Sequence, residues 1–285
     1  MTDLILAVVK SRRWCDLDCF ALSIVQSGFQ GDKVIFVEDV PQDAIDNLNT
    51  LGFQTIPFRQ YNHYHFQTFR YFPALDFLRS HYQKYRFVYW LDTSDLVFQL
   101  DPTVCMETIG NNRLVAAKEG RLIRNEGINT EWLKRMHLST EELKYHLNQE
   151  VLCSGTIQGC SDTVLQLFEK MVEKTTTTED MMGVDQGIYN YIIRKHFWPV
   201  TYVPEMAEGF ITTCGIFLSK GEGNGPHVWT VEPPYFDRDT GLVMTNDCSK
   251  PFCITHGYNR NYGIFDPNGD WRGHVERRYR NKGII

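Results

Sequence analysis

The feature that most constrains this chain is a series of short apolar runs set between helical segments over its first 120 residues or so. "LILAVV" (Leu4–Val9) is apolar without alternation, the pattern of a strand covered on both faces. "DCFALSIVQSGF" has helical spacing and leads into a second run, "DKVIFVED". "PQDAIDNLNTLGF" opens on a proline, carries apolar residues at helical intervals and stops at Gly52. "QTIPF" reads as a third strand, "RYFPALDFLRSHYQKY" as a helix running to about Tyr85, and "RFVYWL" as a fourth strand. Alternation of this kind predicts an α/β fold, an open and mostly parallel sheet with helices on both faces.

After Asp95 the rhythm changes. "LVFQ" and "RLVAAKEG" read as short strands, and a helix is expected near Thr140–Asn148. "SDTVLQLFEKMVEKT" is amphipathic, with Ser161 or Asp162 as its expected N-cap, and "VDQGIYNYIIRKHF" is a further helix. From Trp198 to His256 short strands and Gly/Pro turns such as "GEGNGP" dominate. With 285 residues and neither an internal repeat nor a long linker, the expectation is one domain over 1–285. Its α/β half (1–120) feeds a mixed α+β half (121–285).

Composition narrows the function. The net charge is −6, and the densest basic cluster is the short tail "RGHVERRYRNKG", so a nucleic-acid footprint is not expected. The eight cysteines contain no CxxC pair, which argues against a zinc site. "MTDLILAVVK" lacks a basic leader region and reads as a core strand, not an export signal. No apolar stretch approaches the roughly 20 residues of a membrane helix. The reading is a cytoplasmic chain with reduced thiols.

The chemistry is concentrated where the fourth strand ends. In "VYWLDTSDLVFQ" the apolar run stops at Asp92, and Asp95 follows three positions later. An extended chain would send the two acids to opposite faces, whereas a turn over "DTSD" brings its ends within about 7 Å. Two converging carboxylates suit Mg²⁺ or Mn²⁺, although a plain acidic corner would read the same. In "VLCSGTIQG" Ser154 and Gly155 interrupt an apolar strand, marking either a bulge or a close approach. Asp185 and Gln186 open a helix, and His256 closes the run in "FCITHGYNRN". The loop "VVKSRRW" offers Lys10, Arg12 and Arg13 to phosphate and Trp14 for stacking.

In this order, the segments resemble those of nucleotide-sugar-dependent glycosyltransferases of the GT-A fold, over roughly residues 4 to 262. "YWLDTSDLVFQLDP" resembles the Asp-x-Asp element, "LCSGTIQG" the acceptor-side "NSG" strand, "VDQGIYNY" the "DQ" helix, and "ITHGYNR" the late histidine of the metal site. The resemblance implies a Rossmann-like GT-A sheet and transfer of a sugar from a UDP- or GDP-sugar to a glycan or other hydroxyl acceptor. It implies Mn²⁺ or Mg²⁺ held by Asp92, Asp95 and His256, with Asp92, Ser94, Ser154 and Gly155 lining the donor site. Arg70 resembles the basic residue that neutralises donor phosphates. Asp185 would be the acid nearest the reacting sugar, with Glu119 a second candidate. Two departures stand out. The acids are three apart, not two, so either Asp95 is the second ligand through a turn or Asp92 alone binds metal beside Ser94; and Cys153 stands where many relatives have Asn.

Other classes fit less well. Phosphatases with an aspartate nucleophile want a second acid two positions on, after the first strand. A sugar-nucleotide nucleotidyltransferase would open on a glycine-rich loop, and "VVKSRRWCD" has no glycine. An inactive sugar- or nucleotide-binding protein on the same fold is the remaining alternative.

Overall fold

The computed structural model describes residues 1–61, 63–214, 230–259 and 271–281. The "GEGNGP" turn, Arg260 and the end of the basic tail lie outside the described residues.

Five strands carry most of the central sheet: β1 (Thr2–Lys10), β2 (Asp32–Glu38), β3 (Phe53–Pro57), β4 (Tyr85–Leu91) and β9 (Thr156–Cys160). The two short strands β6 (Leu114–Val115) and β10 (Thr201–Tyr202) complete it, in the order β10-β6-β9-β4-β1-β2-β3. All pairings are parallel except those of β9 with β4 and β6. The sheet is therefore the α/β arrangement the sequence predicts.

Why these runs are uninterruptedly apolar is visible in the packing. Side chains alternate across a strand, and in β1 Ile5, Ala7 and Val9 enter one core while Leu4, Leu6 and Val8 enter another. β4 divides in the same way, Tyr89 and Leu91 to one side and Val88 and Trp90 to the other. The first core is covered by α1 (Trp14–Gln26), the second by α4 (Tyr71–His81), α8 (Ser161–Thr175) and α9 (Val184–Ile192).

Several local expectations need correction. The helix after Arg70 ends at His81, and a short turn (Tyr82–Lys84) precedes β4. α8 is capped at Cys160, and Ser161 sits inside it with its Oγ donating to the carbonyls of Tyr82 and Tyr85. "VLCSGTIQG" is not one strand but two, β8 (Glu150–Leu152) and β9, with Ser154 and Gly155 in the turn between. β8 pairs instead with β7 (Lys118–Leu122) in a separate ribbon.

A second sheet joins β5 (Leu96–Phe98) to β14 (Ile254–His256) and β11 (Ile211–Thr213). Among the described residues no helix is long and apolar enough to cross a membrane.

Candidate metal and donor site

The strand order places a topological switch between β1 and β4. From β1 the chain winds outward through β2 and β3, then crosses back to β4 on the other side of β1. In open α/β sheets the crevice beyond the carboxyl ends at such a point is where ligands bind. Asp92 leaves β4 there, its amide donating to the Gly155 carbonyl at 2.9 Å as the last rung of the antiparallel β4–β9 ladder.

The chain then bends through Thr93, Ser94 and Asp95, so that Asp95 directly precedes β5. β14 runs antiparallel to β5 with His256 opposite Leu96, and Gly257 donates to the Asp95 carbonyl at 2.6 Å. Asp92, Asp95 and His256 thus converge, their ligand atoms all within 4.8 Å of one another. His256 Nε2 lies 3.3 Å from a carboxylate oxygen of each acid. The angles satisfy no hydrogen bond, so this buried nitrogen has no hydrogen-bond partner in the structure.

That geometry fits a divalent cation. Two hard oxygens and one imidazole nitrogen, the latter buried without a hydrogen-bond partner, face one point. A cradle completes the site. A Cβ on Gly155 would lie 2.5 Å from Asp92 Oδ2 and 3.0 Å from His256 Cε1.

Behind the cluster lies a buried ion network. Arg70 binds Asp92 Oδ1 through Nη1 and reaches Asp185 Oδ2 through Nη2 at 3.1 Å. Asp185 Oδ2 also accepts from Tyr71 Oη and Ser154 Oγ, each at 3.3 Å. Burial opposes ionisation of Asp92, but Arg70 and His256 outweigh it and hold the carboxyl well below the usual range. Burial pushes Asp185 up to about 6, since Arg70 is shared with the negative charge of Asp92. For His256 burial works downward, yet Cys153, Asp95 and Asp92 hold the imidazole well above its ordinary value.

The other residues singled out from the sequence lie as follows. Lys10 ends β1 and pairs with Glu38 at 2.9 Å and Gln60 at 3.2 Å. Arg12 is exposed, and Arg13 lies 3.7 Å from Asp16. Trp14 belongs to the first turn of α1, not to the loop, and packs against the core. The Ser94 carbonyl accepts from Asn259 Nδ2 at 2.9 Å. Ser154 is buried, its amide 3.3 Å from Gln186 Oε1. Glu119 is half-buried in β7.

Sequence reasoning passes over two members. Tyr71, next to Arg70, gives its hydroxyl to Asp185, and its only signal is that adjacency. Asn190 on α9 clamps Leu152 from both sides, accepting from its amide at 2.9 Å and donating to its carbonyl at 2.8 Å. A helical spacing of four from Gln186, whose carbonyl also accepts from Asn190 Nδ2, is the clue to it.

No family model matches the chain, and no curated protein matches it in sequence. Solved structures do match in fold. The galactosyltransferase LgtC, determined with donor and acceptor sugar analogues, superposes with a TM-score of 0.54 at 12% identity, covering 96% of this chain and 95% of LgtC. An active-site variant of LgtC matches equally, at 0.54 and 12%, over 96% of this chain and 94% of that one. The bifunctional glycosyltransferase WbbM, in its apo form, gives 0.55 at 13% identity over 98% of this chain, which spans about half (52%) of WbbM. The architecture is that of the GT-A fold.

Proposed function

We propose that the protein is a metal-dependent glycosyltransferase that moves a sugar from a UDP- or GDP-sugar to a hydroxyl of a glycan or other acceptor. The observation that carries this reading is the convergence of Asp92, Asp95 and His256 within 4.8 Å at the switch point of the sheet. The fold shared with LgtC and WbbM supports it.

In this reading Asp92, Asp95 and His256 hold Mn²⁺ or Mg²⁺, and an imidazole among oxygen donors favours Mn²⁺. Bound there, the cation supplies Lewis acidity against the charge that grows on a departing diphosphate. The chain's own residues do the remaining work. Arg70 holds Asp92 and Asp185 together through its two terminal nitrogens, which preorganises both acids for a substrate. Ser94, Ser154 and Gly155 line the donor position, while Lys10, Arg12, Arg13 and Trp14 flank it at the end of β1. Asp185 faces the reacting sugar. Its pKa of about 6 sits near neutrality, where one carboxylate can take or release a proton. Glu119 is the second acid assigned to that side. Residues 1–120 serve the donor and residues 121–285 the acceptor. A cytoplasmic setting accords with eight unpaired cysteines.

The test is calorimetric titration of UDP and GDP with and without Mn²⁺, followed by an assay for slow donor hydrolysis. Asp92→Ala should lose the metal-dependent part of nucleotide binding while remaining folded at the assay temperature, although Arg70 then keeps only Asp185 as its partner. Binding that survives unchanged in that variant overturns the assignment.

A further inference from the structure

The side of His256 turned away from the two acids is also occupied. Cys153 Sγ lies 3.3 Å from Nδ1, and both residues are buried, with 1% and 3% of their surfaces exposed. The cysteine is held in place by its backbone. Its amide donates to the Ala117 carbonyl at 2.9 Å, and the preceding Leu152 is clamped at both its amide and its carbonyl by Asn190. The sulfur therefore does not drift into contact; the turn between β8 and β9 delivers it.

An imidazole that ligates a cation through Nε2 must carry its proton on Nδ1, and that proton needs an acceptor. Sulfur accepts hydrogen bonds weakly but does accept them. From these contacts we infer that Cys153 is a positioning residue for the cation site. It accepts from Nδ1–H of His256, so that Nε2 presents its lone pair between Asp92 and Asp95. Cys153 is not among the residues whose ligand atoms converge: its sulfur meets Nδ1, whereas the two carboxylates meet Nε2. This inference rests on the metal-dependent reading above.

The experiment is Mn²⁺ titration followed by electron paramagnetic resonance, on the full chain without nucleotide and then with UDP or GDP. Removing a partner of a ligating histidine costs about ten- to a hundredfold in metal affinity elsewhere, and Cys153→Ala should lose that much. Cys153→Ser, which returns a stronger acceptor on a somewhat shorter bond, should recover to within about threefold of the wild type while Cys153→Ala does not. Should Cys153→Ala melt below the assay temperature, Cys153→Val fills the volume without a lone pair and carries the same expectation. Co²⁺ added to the wild type should give no sulfur-to-metal charge-transfer band.

Wild-type affinity in Cys153→Ala, an equal loss in Cys153→Ser, or a sulfur–cobalt band would each overturn the inference. A wild-type protein that binds no Mn²⁺ would instead defeat the metal-dependent reading on which it stands.

Discussion

Gly155→Ala is the sharpest test of the site, because it adds one methyl group at one place. Gly155 does not use a positive φ, so alanine brings no backbone strain there. What it brings is a Cβ 2.5 Å from Asp92 Oδ2 and 2.8 Å from Asp92 Cγ, where ordinary contacts begin at 3.4 Å. Asp92 must therefore retreat by about 0.9 Å, the difference between 3.4 and 2.5. Its side chain is 26% exposed, so it has room to swing outward, and the fold should lose no more than the roughly 1–3 kcal/mol typical of overpacking. The site is far less tolerant. Metal–ligand distances hold to about 0.2 Å, and a 1 Å misplacement of reacting groups can cost about a hundredfold in rate. Mn²⁺ affinity should fall about ten- to a hundredfold, and donor hydrolysis about a hundredfold. Calorimetry, donor hydrolysis and a melting curve read the three quantities separately. Mn²⁺ affinity and hydrolysis both within about threefold of the wild type would refute the argument that Gly155 cradles the ligands.

Two further outcomes follow from buried charge. Arg70→Met leaves Asp92 and Asp185 without their shared cation, and breaking a buried pair costs about 3–5 kcal/mol. The urea midpoint should fall accordingly and recover in part with Mn²⁺; an unmoved midpoint would show that Arg70 contributes no net stability. His146 is buried beside Tyr191, and burial, with Arg194 nearby, pushes its pKa down to about 4 from the ordinary 6.5. Below pH 6.5 the unfolded chain takes up a proton that the folded chain refuses, so this contribution to stability is present above 6.5 and is lost as pH falls toward 4. Relative to His146→Phe, the wild type should lose about 3 kcal/mol across that window. A difference between the two unfolding curves that stays constant with pH would remove His146 from the account.

What could be read along the chain was whatever depends on near neighbours. Unbroken apolar runs foretold strands buried on both faces, and the parallel sheet followed from their alternation with helices. The turn over Asp92–Asp95 was legible because three residues are enough to bring two carboxylates together. Trp14 shows the limit of a local reading: a pattern of basic and aromatic residues looks like a loop, whereas in the fold Trp14 opens α1 and packs partly against the core.

What the tertiary structure decided is which distant residues share a few ångströms. Nine histidines are available, and the one that meets the acids is chosen by β14 pairing with β5 at the register of Leu96. Gly155 and Cys153 reach the site because β9 enters beside β4 antiparallel, which turns the end of β8 and the start of β9 toward Asp92. Periodicity records how a segment buries its own surface. It carries no record of sheet order, and sheet order sets the distances on which this chemistry depends.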